Sequence, residues 1–194
     1  MPGYPSPAGS ADAEIREKGS RFLAVIGPAD GEEAAKAGLA AVARRFPDAT
    51  HHCWAWRLGA PPRERSSDAD EPAGTAGMPI LQVLRGAGLS DVLAVVVRWF
   101  GGTKLGKGGL ARAYAAATRE ALQALPVAVR VPAVRLALQI PYERVGAVKR
   151  LIHPPAIELA SEEYGQEARL VLVVQEQHQT ALREALADLG IVLP

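Results

Sequence analysis

The stretch Val95–Tyr114, VVVRWFGGTKLGKGGLARAY, decides how the chain is read. A run of valines passes into five glycines and then into an alanine-rich segment. Valines without polar interruption suit a strand covered on both faces. Beyond the glycines, Leu110, Tyr114, Ala117 and Ala121 recur at helical spacing and mark the inner stripe of a helix over 105–125. Strand, glycine turn and helix together place the chain in the α/β (α+β) class.

The turn carries Arg98, Lys104, Lys107 and Arg112 and no acid. Gly101 and Gly102 permit a turn with positive φ, and Gly106, Gly108 and Gly109 open the helix. N–H groups at a helix start attract anions, and lysines nearby add charge. The segment lacks the G-x-x-x-x-G-K-[ST] spacing of a P-loop. Three uses stay open: an anion or RNA contact, a tight turn whose glycines serve packing, and a loop like that of the sugar and mevalonate kinases. The last needs an acid that this stretch does not supply.

Outward from this stretch, Glu14–Pro28 reads as two extended segments around Gly19. Asp30–Pro47 reads as a helix capped by Asp30, and Thr50–Leu58 as a strand. On that strand His51, Cys53 and Ala55 share one face and His52, Trp54 and Trp56 the other. Gly59–Gly77 carries loop signals throughout, and Met78–Leu89 is a short helix. Two prolines in Leu125–Ala133 mark a boundary. Strand, helix, strand–turn–strand and helix follow from Val134 to Gly190, with Ile191–Pro194 as a further strand, which is a ferredoxin-like order. The expected domains are a flexible leader over 1–13, an N-terminal domain over 14–128 and a C-terminal domain over 129–194.

The chain has 194 residues and a formal net charge of +1, so a nucleic-acid surface has to be local. Its single cysteine, Cys53, excludes an intrachain disulfide and a cysteine zinc cluster within the chain. No apolar run approaches the roughly 20 residues that span a bilayer, and the N-terminus has no apolar signal core. The expectation is a cytoplasmic protein without membrane contact.

Other residues carry weaker signals. Asp68, Asp70 and Glu71 lie close together near Thr75, as a divalent-metal loop or a solvated acidic loop. His51 and Cys53 supply only two potential metal ligands. Trp54 and Trp56 serve as core or as stacking faces for bases. Arg144, Lys149 and Arg150 give one helix a basic side. No motif assigns a catalytic residue, a metal or a cofactor.

Three blocks, Phe46–Gly59, Ser66–Leu81 and Val95–Tyr114, together resemble the IMPACT/YigZ family over roughly Arg21–Leu125. The core R-W-F-G-G-T-K-L-G at Arg98–Gly106 is its most specific match. From about Val131 the chain is similar to the small domain that bacterial members append. The resemblance implies α/β two-layer sandwiches. The first is similar to domain IV of elongation factor G and to the second domain of a ribosomal protein. The second, ferredoxin-like, is similar to domain V of that factor. It also implies contact with RNA or the ribosome, and for eukaryotic members a protein partner that regulates a translation-factor kinase. The family's acidic loop reads D-D-G-E-P-S-G-T-A-G; here Ala69 replaces an acid, Asp70 a glycine and Ala73 a serine.

The expectation is therefore a non-enzymatic, translation-associated regulator or RNA- or ribosome-binding protein, without sequence-specific DNA binding. Arg98, Gly101, Gly102, Lys104, Lys107, Gly108 and Arg112 form its anion-binding segment. Asp68, Glu71 and Thr75 form an accessory loop, with Glu71 paired to the basic segment. The alternatives are an enzyme acting on a phosphorylated small molecule and a protein-interaction adaptor in translational control.

Overall fold

The computed structural model describes residues 3–191. One compact unit runs from Tyr4 to Arg130 and a second begins at Val131. The first contains β1 (Tyr4–Pro7), β2 (Ala11–Glu17), β3 (Ser20–Pro28), α1 (Glu32–Arg45), β4 (His51–Leu58) and β5 (Arg63–Ser67). It continues with α2 (Gly77–Gly86), β6 (Val92–Trp99), α3 (Gly106–Gln123) and β7 (Val127–Arg130).

Five strands make an antiparallel sheet in the order β2-β3-β6-β4-β5, so the valine run lies at its centre. Strand alternation sorts β6 between two cores. Val92, Ala94 and Val96 pack with Leu110, Tyr114, Ala117 and Ala121 of α3 and with Ile80 and Leu84 of α2. Leu93, Val95 and Val97 pack with Ala35, Leu39 and Val42 of α1 and with Trp54 and Trp56. The expected two-layer sandwich corresponds to the sheet with α2 and α3; α1 adds a third layer on the opposite face. β2 and β3 are joined through Lys18 and Gly19, both at positive φ, the geometry of a two-residue hairpin.

Three local expectations are corrected. The expected leader contains β1 and the start of β2. β1 pairs with β7, with Tyr4 opposite Arg130 and Pro7 opposite Val127, and Ser6 and Pro7 are buried. Prolines are tolerated there because the two-stranded ribbon is all edge. The loop over Gly59–Gly77 contains β5, an edge strand held by β4 alone; its polar sequence RERSS hides it. Asp30 does not cap α1. The cap position is Gly31, and the Asp30 carboxylate lies 3.0 Å from the Arg130 guanidinium.

The second unit runs β8 (Ala133–Ile140), α4 (Tyr142–Lys149), β9 (Ile157–Tyr164), β10 (Ala168–Gln175) and α5 (Gln179–Asp188). Its antiparallel sheet has the order β8-β10-β9. That is the ferredoxin-like arrangement for these three strands. Leu136, Leu138 and Ile140 of β8 and Leu170, Leu172 and Val174 of β10 meet Val148 of α4 and Leu182 and Leu186 of α5. Most of the expected final strand, at 192–194, lies outside the described residues.

Candidate functional site

Arg98 ends the inward row of β6 that begins at Val92, so its side chain enters the core beneath α3. The residue is only 5% exposed. A guanidinium there needs a counter-charge, and the acidic loop supplies it. Arg98 donates to Glu71, itself 8% exposed, across the end of the sheet. The same Glu71 oxygen accepts the Tyr114 hydroxyl at 2.7 Å and lies 3.9 Å from Nε2 of His51. Burial, then the neighbouring thiol and carboxylate, hold the Tyr114 hydroxyl protonated well above the usual phenol range. The expected pairing of Glu71 with the basic segment is therefore made, through Arg98. This removes Arg98 from the exposed cations that can meet a phosphate backbone.

The rest of the acidic loop is held from within. Asp68 accepts the N–H groups of Gly74, Ala76 and Gly77 at 2.8, 2.9 and 2.8 Å, so its carboxylate occupies the N-terminus of α2. Desolvation raises the Asp68 pKa, and the hydrogen bonds from Gly74, Ala76 and Gly77 outweigh it and leave the carboxyl below its ordinary value. Thr75 is buried and donates to the Pro72 carbonyl at 2.6 Å. Nδ1 of His51 and the thiol of Cys53 each lie 2.9 Å from a loop carbonyl, those of Ala69 and Asp68. Burial pushes the Cys53 thiol up to about 12, which removes the thiolate a nucleophile or metal ligand needs. With Asp68 and Glu71 bound in this way, the loop is a brace for the sheet end. Among the described residues no three His, Cys, Asp or Glu side chains cluster as a metal site.

The glycine turn has two parts. Gly101 crosses the β2–β3 hairpin so closely that a Cβ on it would lie 1.9 Å from the Gly19 carbonyl carbon, so this glycine serves packing. Gly102 has φ +87 with open space around it. Lys104, Lys107, Gly108 and Arg112 are exposed, and among the described residues none of these three cations is in an ion pair. They flank the start of α3. That helix has no side-chain cap and no acid in its first turn. Its first N–H groups and the positive end of its dipole thus face outward among lysines. Where α2 carries an internal carboxylate at its N-terminus, α3 carries none.

Beside this helix start lies a cavity of about 360 Å³. Glu71, Pro72, Arg98, Phe100, Lys104, Leu105, Lys107 and Leu110 line it. The structure so joins the acidic and basic segments at one sheet end, through Glu71 and Arg98, 27 positions apart in the chain. Sequence reasoning missed Phe100 and Leu105 as walls of the site and Tyr114 as part of the network. Counting alternate positions down β6 from Val92 would have placed Arg98 inside.

Residues 18–122 match the family profile described as the Impact N-terminal domain, and residues 138–190 match a domain of unknown function, DUF1949. The chain belongs to the IMPACT family. It is 41% identical to the IMPACT family member YigZ of Escherichia coli over 149 residues, covering 75% of this chain and 73% of that one. An IMPACT family member of Haemophilus influenzae is 34% identical over 191 residues, 97% of this chain and 93% of that one. The crystal structure of a hypothetical protein superposes with a TM-score of 0.75 at 32% identity, covering 100% of this chain and 98% of that chain. Among the described residues no helix is long and apolar enough to cross a membrane.

Proposed function

We propose that this IMPACT family member is a cytoplasmic, non-enzymatic, translation-associated protein that holds an RNA phosphate backbone at the start of α3. One observation carries this reading. Lys104, Lys107 and Arg112 stand exposed around an uncapped helix start that has no acid in its first turn. Unneutralised cations at the positive end of a helix attract phosphate oxygens without reading sequence. The role in translational control, and the likeness to parts of elongation factor G, that the family resemblance implies support RNA or the ribosome as the source of those phosphates. Arg98 and Gly101 act behind this surface, one through its pair with Glu71 and the other through its contact with the hairpin.

Anisotropy titrations of the full chain with RNA over a salt series test this. Affinity falls steeply with salt, and neutralising Lys104, Lys107 and Arg112 together lowers the slope of log K against log salt by about 2. No affinity for RNA or ribosomes at low salt refutes the reading.

The cavity of about 360 Å³ favours a second reading, a site for a phosphorylated small molecule. Against a metal-assisted reaction there, the Asp68 oxygens are taken by backbone N–H groups and Glu71 by Arg98 and Tyr114.

A further inference from the structure

The cavity beside α3 combines features that a phosphate backbone alone does not need. Phe100 is 48% exposed at its rim, a large aromatic face turned to solvent directly after a buried strand. The guanidinium carbon of Arg98 lies 5.6 Å from the centre of that ring, so one side of the ring is backed by a cation. Pro72, Leu105 and Leu110 supply apolar walls. Arg98 Nε is buried and has no hydrogen-bond partner, although the rest of its head group is engaged by Glu71 and Ser20. Lys104 and Lys107 stand in the wall, Arg112 is exposed one turn further along α3, and the one carboxylate in the wall, Glu71, is neutralised by Arg98.

We propose that this cavity takes one unpaired base of a single-stranded RNA, stacked on Phe100, while the flanking phosphate sits at the start of α3. The proposal rests on the RNA reading above and names the form of RNA that the site selects. A base has a flat face for Phe100 and ring-nitrogen or carbonyl acceptors for the exposed Lys104 and Lys107 in the wall. An apolar side chain or acyl chain would offer those lysines no acceptor. The volume lies within the roughly 300–1,000 Å³ of small-ligand sites. In a duplex the bases are stacked and paired inside the helix, so a base reaches this cavity only from a loop, a bulge or a free strand. The lysines then hold either form, and Phe100 distinguishes them.

The test uses the full chain with a short single-stranded RNA carrying 2-aminopurine, and with the duplex of the same sequence. The single strand binds more tightly, and its 2-aminopurine fluorescence is quenched on binding. Phe100→Ala weakens the single strand about tenfold, relieves the quench and leaves the duplex affinity and the salt slope unchanged. Phe100→Trp keeps both the affinity and the quench. If Phe100→Ala binds the single strand as the parent does while neutralising the cations still weakens it, base stacking is overturned and backbone binding stands. Equal weakening of single strand and duplex by Phe100→Ala also overturns it. If the parent binds neither RNA at low salt, the underlying RNA reading falls, and this proposal with it.

Discussion

Replacing Glu71 by alanine is expected to destabilise the N-terminal unit severely. The Arg98 and Glu71 side chains are 6% and 3% exposed, so water screens the pair little. Removing one partner of a buried ion pair leaves the other charge uncompensated, at a cost of about 3–5 kcal/mol. Tyr114 loses its acceptor at the same time, a loss of about 1–3 kcal/mol that overlaps the first because both arise from one carboxylate. The expected total is about 4–5 kcal/mol. Urea unfolding followed by tryptophan fluorescence measures it cleanly, because Trp54, Trp56 and Trp99 all lie in the Tyr4–Arg130 unit. With a slope of about 2 kcal/mol/M the midpoint falls by about 2 M. Glu71→Gln keeps the shape and an acceptor and is expected to cost less. The decisive comparison is Arg98→Met combined with Glu71→Gln, which removes both charges. That variant should recover at least about 2 kcal/mol relative to the sum of its single changes. A midpoint shift below about 0.5 M for Glu71→Ala, or strict additivity in the cycle, refutes the view that this pair braces the sheet end.

The acidic loop gives two further tests. Asp70 has φ 70 and follows Ala69 at φ 44, both left-handed, and the resembling family has glycine at the Asp70 position. Asp70→Gly removes the strain and should raise the melting temperature of this unit by about 2–6 °C; an unchanged or lower value contradicts this. The Asp68 carboxyl is held below its ordinary pKa, so its contribution is present above the unfolded-state value near pH 4 and is lost as pH falls through the folded value. Asp68→Asn should therefore lie well below the parent in urea midpoint at pH 7 and approach it by pH 2. A gap of the same size at both pH values counts against the assignment.

Much of the fold was legible because each element repeats its signal. The valine run, the glycines and the stripe Leu110, Tyr114, Ala117 and Ala121 all agree on strand, turn and helix. β1 and β5 were not legible, because an edge strand needs little apolar sequence: its partner supplies half of its hydrogen bonds and water the rest. The candidate site was legible as a region and misread in detail. Glycines and cations next to each other suggested that all the cations face outward. Position parity along β6 decides otherwise for Arg98, and the same parity brings His51 and Cys53 of β4 beneath the acidic loop. The cavity itself was hidden, since Pro72, Phe100 and Leu105 meet only through the pairing of Arg98 with Glu71.

The β1–β7 ribbon has a mechanical consequence. Tyr4 opposite Arg130 means that the chain enters and leaves the first unit side by side, at the same end of an antiparallel pair. Tension applied through these two points peels the ribbon open one bond at a time rather than shearing it. Under load the ribbon is a fuse: it yields first, while the valine-rich centre of the five-stranded sheet stays unloaded until the ribbon has opened.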